Sequence, residues 1–98
     1  MRKEFEQFLF NEGYKEYTPN GHPSTVYDYI KRIDAVCAWE NTDWLTLARN
    51  IGSVLPEYEE GGVKEHLGRK SHNAVRSALR CFAKFNKEQK MVDKQNRQ

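Results

Sequence analysis

The stretch from Ser71 to Glu88, SHNAVRSALRCFAKFNKE, constrains the fold more than any other part of the chain. Val75, Ala78, Leu79, Phe82 and Phe85 recur at spacings of three, one, three and three, which at about 100° per residue gathers them on one side of a helix. Such a stripe has to be buried. Arg69, Asn73, Arg76, Arg80, Lys84 and Lys87 follow at four, three, four, four and three residues, forming a second stripe roughly opposite the first. That side is expected to face out, either as a solvated basic surface or as one turned toward nucleic acid.

At 98 residues the chain is one domain long, enough for an independent core. Charged residues make up 31% and apolar ones 38%, with twelve aromatics, a composition too aromatic for disorder and too polar for a membrane protein. No apolar run approaches the length of a membrane span, and MRKEFEQ lacks the apolar centre of a signal peptide, so a cytoplasmic protein is expected. Cys37 and Cys81 fall on separate expected helices, without the close spacing of a metal or redox pair, and read as reduced thiols. The net charge of +2 conceals a division. Residues 1–61 hold six Lys/Arg against eleven Asp/Glu, and residues 62–98 hold ten against three. That is the asymmetry of a domain with one anion-facing surface, or of a basic tail on a neutral fold.

Met1 to Asn11 reads as a short helix with Phe5, Phe8 and Leu9 on one face, stopping near Asn11 and Gly13. Tyr14 to Pro23 is a linking segment broken by Pro19, Asn20, Gly21 and Pro23, with Tyr14 and Tyr17 as lids on the core. Ser24 or Thr25 caps a second helix that runs to about Asn41, its core face made by Val26, Tyr29, Ile30, Ile33, Val36 and Cys37. A short packing turn is expected over Trp44 to Ala48, with Trp39 and Trp44 fastening it as core or boundary residues rather than serving as base-stacking platforms. A third helix then starts at Ser53 with Pro56 in its first turn. Glu57, Glu59 and Glu60 crowd its C-terminal end, which the helix dipole disfavours. Gly61 to Lys70 reads as a flexible connection delivering Arg69 and Lys70 to a cap at Ser71, where an anion would make two cations at a helix start favourable. After Glu88 the apolar period lapses into a fraying helix end or a linker. The expected fold is all-α, with four principal helices plus a short turn, as one domain over residues 1–90 and a polar tail over 91–98.

Enzyme signatures are sparse. His22, His66 and His72 with Cys37 and Cys81 include no zinc-type spacing, Gly61-Gly62 opens no phosphate loop, and nothing in the sequence sets Cys81 beside a base. No metal, cofactor, membrane or small-molecule substrate is expected. The order of elements, with PSTVYDYIKRI, the I-x-x-V-L-P-E-Y run before the double glycine, and GRKSHNAVRSALRCFAKF, resembles the N-terminal SAM-like, or core-binding, domain of tyrosine recombinases and phage integrases across residues 2–88. The resemblance implies a bundle of about four helices that clamps one side of a DNA site. It would implicate Thr25, Tyr27 and Lys31 in the second helix, and Arg69, Lys70, His72, Asn73, Arg76 and Arg80 in or before the last. The family's catalytic domain would follow the last helix, and the chain ends at Gln98. The expectation is therefore a module without catalysis, either part of a longer recombinase or a free-standing relative.

On this basis Arg69, Lys70, Arg76, Arg80 and Lys84 would contact the phosphates of duplex DNA, and His72 and Asn73 would reach base edges. The alternative is a protein-interaction module of a mobile element, meeting a catalytic recombinase domain or another protein through the acidic first half and the tyrosines. Four neutralised phosphates would make log K fall against log[salt] with a slope of about −3 to −4, and salt-independent binding would reject the DNA expectation.

Overall fold

The computed structural model describes residues 1–14 and 25–96, with side chains through residue 89. Tyr17, His22 and the cap candidate Ser24 lie outside the described residues. The architecture is all-α: α1 (Arg2–Asn11), α2 (Thr25–Trp39), α3 (Trp44–Tyr58), α4 (Glu65–Gly68) and α5 (Lys70–Asn96). The apolar stripe of α5 is buried as its spacing requires, with Val75, Ala78, Leu79, Phe82 and Phe85 at most 2% exposed. Phe5 and Leu9 of α1, Val26, Ile30, Ile33, Val36 and Cys37 of α2, and Leu47, Ala48, Ile51 and Tyr58 of α3 complete the core.

Aromatic rings fix how α1 crosses the bundle. Phe5 meets Phe82 edge-on at 5.2 Å and lies 5.5 Å from Phe85 and 5.9 Å from Trp44. Trp44 in turn meets Phe82 at 5.5 Å, offset and edge-on arrangements that the ring quadrupoles favour. The indole N–H of Trp44 donates to Asp34 at 2.8 Å, and Arg2 pairs with the same carboxylate at 3.0 Å. α2 runs antiparallel to α5, because Ser77 hydrogen-bonds Tyr29 near the start of α2 while Lys70 reaches Trp39 at its end. Tyr14 is half-buried against Tyr29 and Cys81, the lid that its position suggested.

Three local expectations are corrected. The packing turn and the third helix are a single helix, α3, capped by Asp43, whose carboxylate accepts the Thr46 N–H at 2.7 Å. Ser53 is interior and donates to the Asn50 carbonyl instead of capping. Ile51 supplies the missing link: it joins Leu47 and Ala48 to Tyr58 in one buried stripe, and burial outweighs the weak propensities of Asn50 and Gly52. Pro56 falls in the last turn, where the helix has only two residues left to run. α2 ends at Trp39, short of Asn41, which takes a left-handed φ of 52° while the Thr42 N–H bonds back to the Cys37 carbonyl at 2.9 Å.

The second correction concerns Gly61 to Lys70, which contains α4 and is pinned in place. Gly68 is buried directly on the Tyr58 carbonyl, so no side chain fits there. The third is the cap expected at Ser71. Ser71, His72 and Asn73 have φ of 55°, 57° and 69°, a left-handed turn that delays the right-handed helix to Ala74 and costs about 1–2 kcal/mol for each residue other than glycine. The anion site expected from a helix beginning at Ser71 is therefore not formed by that backbone. Beyond Glu88, α5 stays helical to Asn96 although the apolar period has stopped.

Two glycine substitutions separate close packing from propensity. Gly68→Ala drives a methyl into the Tyr58 backbone and should destabilise by roughly 1–3 kcal/mol. Gly52→Ala, in the interior of α3 with nothing within 4 Å, should stabilise by about 0.5–1 kcal/mol. Thermal unfolding followed by circular dichroism reads both.

Candidate nucleic-acid interface

The basic stripe of α5 does not stay free along its length. Arg76, at 6% exposure, lies in the interior, where its Nε–H donates to the Tyr58 carbonyl at 3.3 Å and stands 4.0 Å from a Glu59 oxygen. Its Nη2 is buried with no hydrogen-bond partner. One turn on, Arg80 holds Glu59 through two bonds, Nε–H and Nη2–H to the two carboxylate oxygens at 2.6 and 2.5 Å. A further turn on, Lys84 pairs with Glu12 at 2.9 Å. Glu59 is the C-cap of α3 and Glu12 the C-cap of α1. Three cations on successive turns of α5 thus meet the negative ends of two other helices, where the dipole and a carboxylate both favour them.

This seam also answers the crowding of glutamates at the end of α3. Glu59 is taken by Arg80, and Glu57 by Lys64 at 3.3 Å, while Lys64 also bonds Glu40. The Arg80 hydrogen bonds hold the Glu59 carboxyl below the ordinary carboxylate range. Burial pushes the Glu40 carboxyl up, but the bonds it accepts from Lys64 and the Tyr58 hydroxyl outweigh this and leave it lowered. The Glu12 carboxylate raises Lys84 above the usual lysine value.

The remaining candidates divide between two surfaces. Arg69 is 62% exposed and pairs, among the described residues, with Glu65, one turn away along the chain, at 3.0 Å. Lys70, Ser71, His72 and Asn73 are all exposed, and the Lys70 ammonium lies 5.3 Å from the centre of the Trp39 ring. Arg69 to Asn73 therefore form a continuous polar run where α5 begins. Thr25 and Lys31 are exposed on α2 and Tyr27 is half-buried. The stripe of Val26, Ile30, Ile33 and Cys37 places Lys31 on roughly the opposite side of α2 from the core, whereas Tyr29 faces α5. A groove of about 530 Å³ between α1 and α5 is lined by Glu4, Glu12 and Glu88 around Phe8, the wrong sign for a phosphate.

Trp39, which the sequence placed as a core or boundary residue, is 39% exposed, with its ring stacked on Tyr58. Its place about 120° from the centre of the α2 core stripe was the available signal. Among the described residues no group of three or more His, Cys, Asp or Glu could hold a metal ion, and no helix is long and apolar enough to cross a membrane. Burial pushes the Cys37 thiol up to about 11 and raises Cys81 as well, so both stay protonated near neutral pH. The chain matches no protein-family model, and comparison with the curated proteins and with the solved structures found no match.

The buried and exposed members of the stripe should respond differently to mutation. Arg80→Ala removes an exposed pair and should change stability by under about 1 kcal/mol. Arg76→Glu sets a buried carboxylate beside Glu59 and should cost roughly 3 kcal/mol or more, measured by urea unfolding. The lowered Glu59 carboxyl contributes stability above its unfolded pKa and loses it as pH falls through the lower folded value. Glu59→Gln should accordingly flatten the acid limb of the stability curve below about pH 4.3.

Proposed function

We propose that the chain is a non-catalytic DNA-binding module of the core-binding type, engaging DNA through Arg69 to Asn73 at the start of α5. The observation that carries the proposal is that these five consecutive residues are all exposed and polar, two of them cationic. Gly68 against Tyr58 on one side and buried Val75 on the other hold the run to the core. In this role Lys70 and Arg69 take phosphates, while His72 and Asn73 are the side chains able to reach base edges.

Arg69 is available at little cost, since an exposed i, i+4 pair such as that with Glu65 is worth only about 0.3–0.5 kcal/mol. Arg76 is left out of the contact set because it is buried, and Arg80 and Lys84, exposed but each paired with a carboxylate of another helix, are not counted among the contacts. Thr25, Tyr27 and Lys31 lie on α2, outside the run.

A smaller footprint makes a weaker and less salt-sensitive binder than the sequence implied. With about two phosphates neutralised, log K against log[salt] should have a slope near about −2 on duplex DNA. Lys70→Ala should reduce that slope by about 1. Binding whose slope is zero and which survives both Arg69→Glu and Lys70→Glu would instead favour a protein-interaction module.

A further inference from the structure

Among the described residues, Trp39 is the exposed member of an aromatic pair whose other ring is fixed. Tyr58 is fully buried, its hydroxyl donates to Glu40 at 2.8 Å, and its ring lies parallel to the indole, 18° apart with centroids at 6.4 Å. The other large apolar residues left exposed, Met1, Leu45 and Val63, carry no ring. One side of the indole is therefore backed by a rigid platform, and the Lys70 ammonium lies 5.3 Å from its centre. That lysine belongs to the Arg69–Asn73 run. An aromatic ring with a displaceable cation over it, on the edge of a polar and basic segment, is the pairing that recognises a nucleobase and its phosphate together.

We propose that Trp39 is a stacking platform for an unpaired nucleobase, so that the module prefers single-stranded or locally opened DNA to closed duplex. The inference rests on the nucleic-acid reading above. In the complex the base lies on the indole and Lys70 moves from the ring to the adjoining phosphate. An exposed cation–π contact is worth about two- to fivefold in an equilibrium constant, and a base–aromatic stack about five- to 150-fold, so the exchange favours the bound state. Stacking also supplies affinity that the electrostatics here do not, because Glu40, Glu57 and Glu65 lie close to Lys64 and Arg69 and leave little net positive charge.

The chain's two tryptophans give the test its own control, since the Trp44 indole N–H is held by Asp34 and Trp44 lies at the opposite end of α3 from Tyr58. The full chain labelled with nitrogen-15 is titrated with an oligothymidine single strand and with a blunt duplex of equal length. The expected result is that the single strand shifts the Trp39 indole signal and leaves that of Trp44 in place, and that it binds about fivefold or more tighter than the duplex. Trp39→Leu should bring the single-strand affinity down to the duplex level, and Trp39→Phe should retain part of the preference. If Leu is not tolerated against Tyr58, the indole signals of the native chain and the Phe variant decide the matter alone. Movement of the backbone amides of residues 69–73 with either DNA, without movement of the Trp39 indole, overturns the stacking site and leaves the DNA-binding module standing. An equal Trp39 shift with the duplex overturns the preference for unpaired bases. No shift with either DNA overturns both.

Discussion

Four contacts of different kinds converge on Tyr58, and the position of the basic segment depends on them. The ring stacks under Trp39 at the end of α2, the hydroxyl donates to Glu40, the carbonyl accepts from the buried Arg76 guanidinium, and Gly68 packs onto that same carbonyl. Together they tie the C-terminal end of α3 to the end of α2, to α4 and to α5. Because the carbonyl is one of those a helix end leaves without an intrahelical partner, a guanidinium there answers a need that any helix terminus has. The approach of Gly68 then fixes where α4 lies, and with it where α5 begins. Burial and the Glu40 carboxylate push the Tyr58 hydroxyl well above the usual tyrosine range, so the donated proton stays in place at any physiological pH.

The charge division along the sequence gains a different meaning from this junction. An acidic first half and a basic second half suggested a surface prepared for an external anion. Yet Arg80 with Glu59, Lys84 with Glu12, and Lys64 with Glu40 and Glu57 each join a cation of the second half to a carboxylate of the first. Much of the asymmetry is therefore consumed inside the fold. Arg80, Lys84 and Lys87 stay exposed on α5, as does the short polar run at its start with Trp39 next to it. A ligand there meets one or two cations, exposed hydrogen-bonding side chains and one aromatic face. On the nucleic-acid proposal, such a site would read bases more than it accumulates phosphates.

The buried stripes were legible because spacing alone dictates them: the apolar set of α5 and the faces of α1 and α2 are where the periodicity placed them. The outer stripe was misread because periodicity says which residues leave the core but not which neighbouring helix end waits beside them. Arg76 is the clearest case, since a residue about 100° from the core stripe falls under α3 rather than into solvent. The crowding of Glu57, Glu59 and Glu60 at a helix C-terminus was the available signal, for such an end requires cations from elsewhere in the chain. The continuity of α3 was missed where Asn50, Gly52 and Pro56 outweighed Ile51 in a local reading. The left-handed turn at Ser71 to Asn73 had no signal beyond the tolerance of Asn73 for positive φ.

The division of the cationic row into structural and accessible parts is tested most directly by hydrogen exchange at the arginine Nε–H groups, resolved by nuclear magnetic resonance. The account requires the Arg76 Nε–H, donated to the Tyr58 carbonyl in the interior, to exchange far more slowly than that of Arg69 and to keep its signal when DNA is added. An Arg76 Nε–H that exchanges as fast as that of Arg69, or that shifts along with residues 69–73 on DNA binding, would contradict it and return the whole row to the surface.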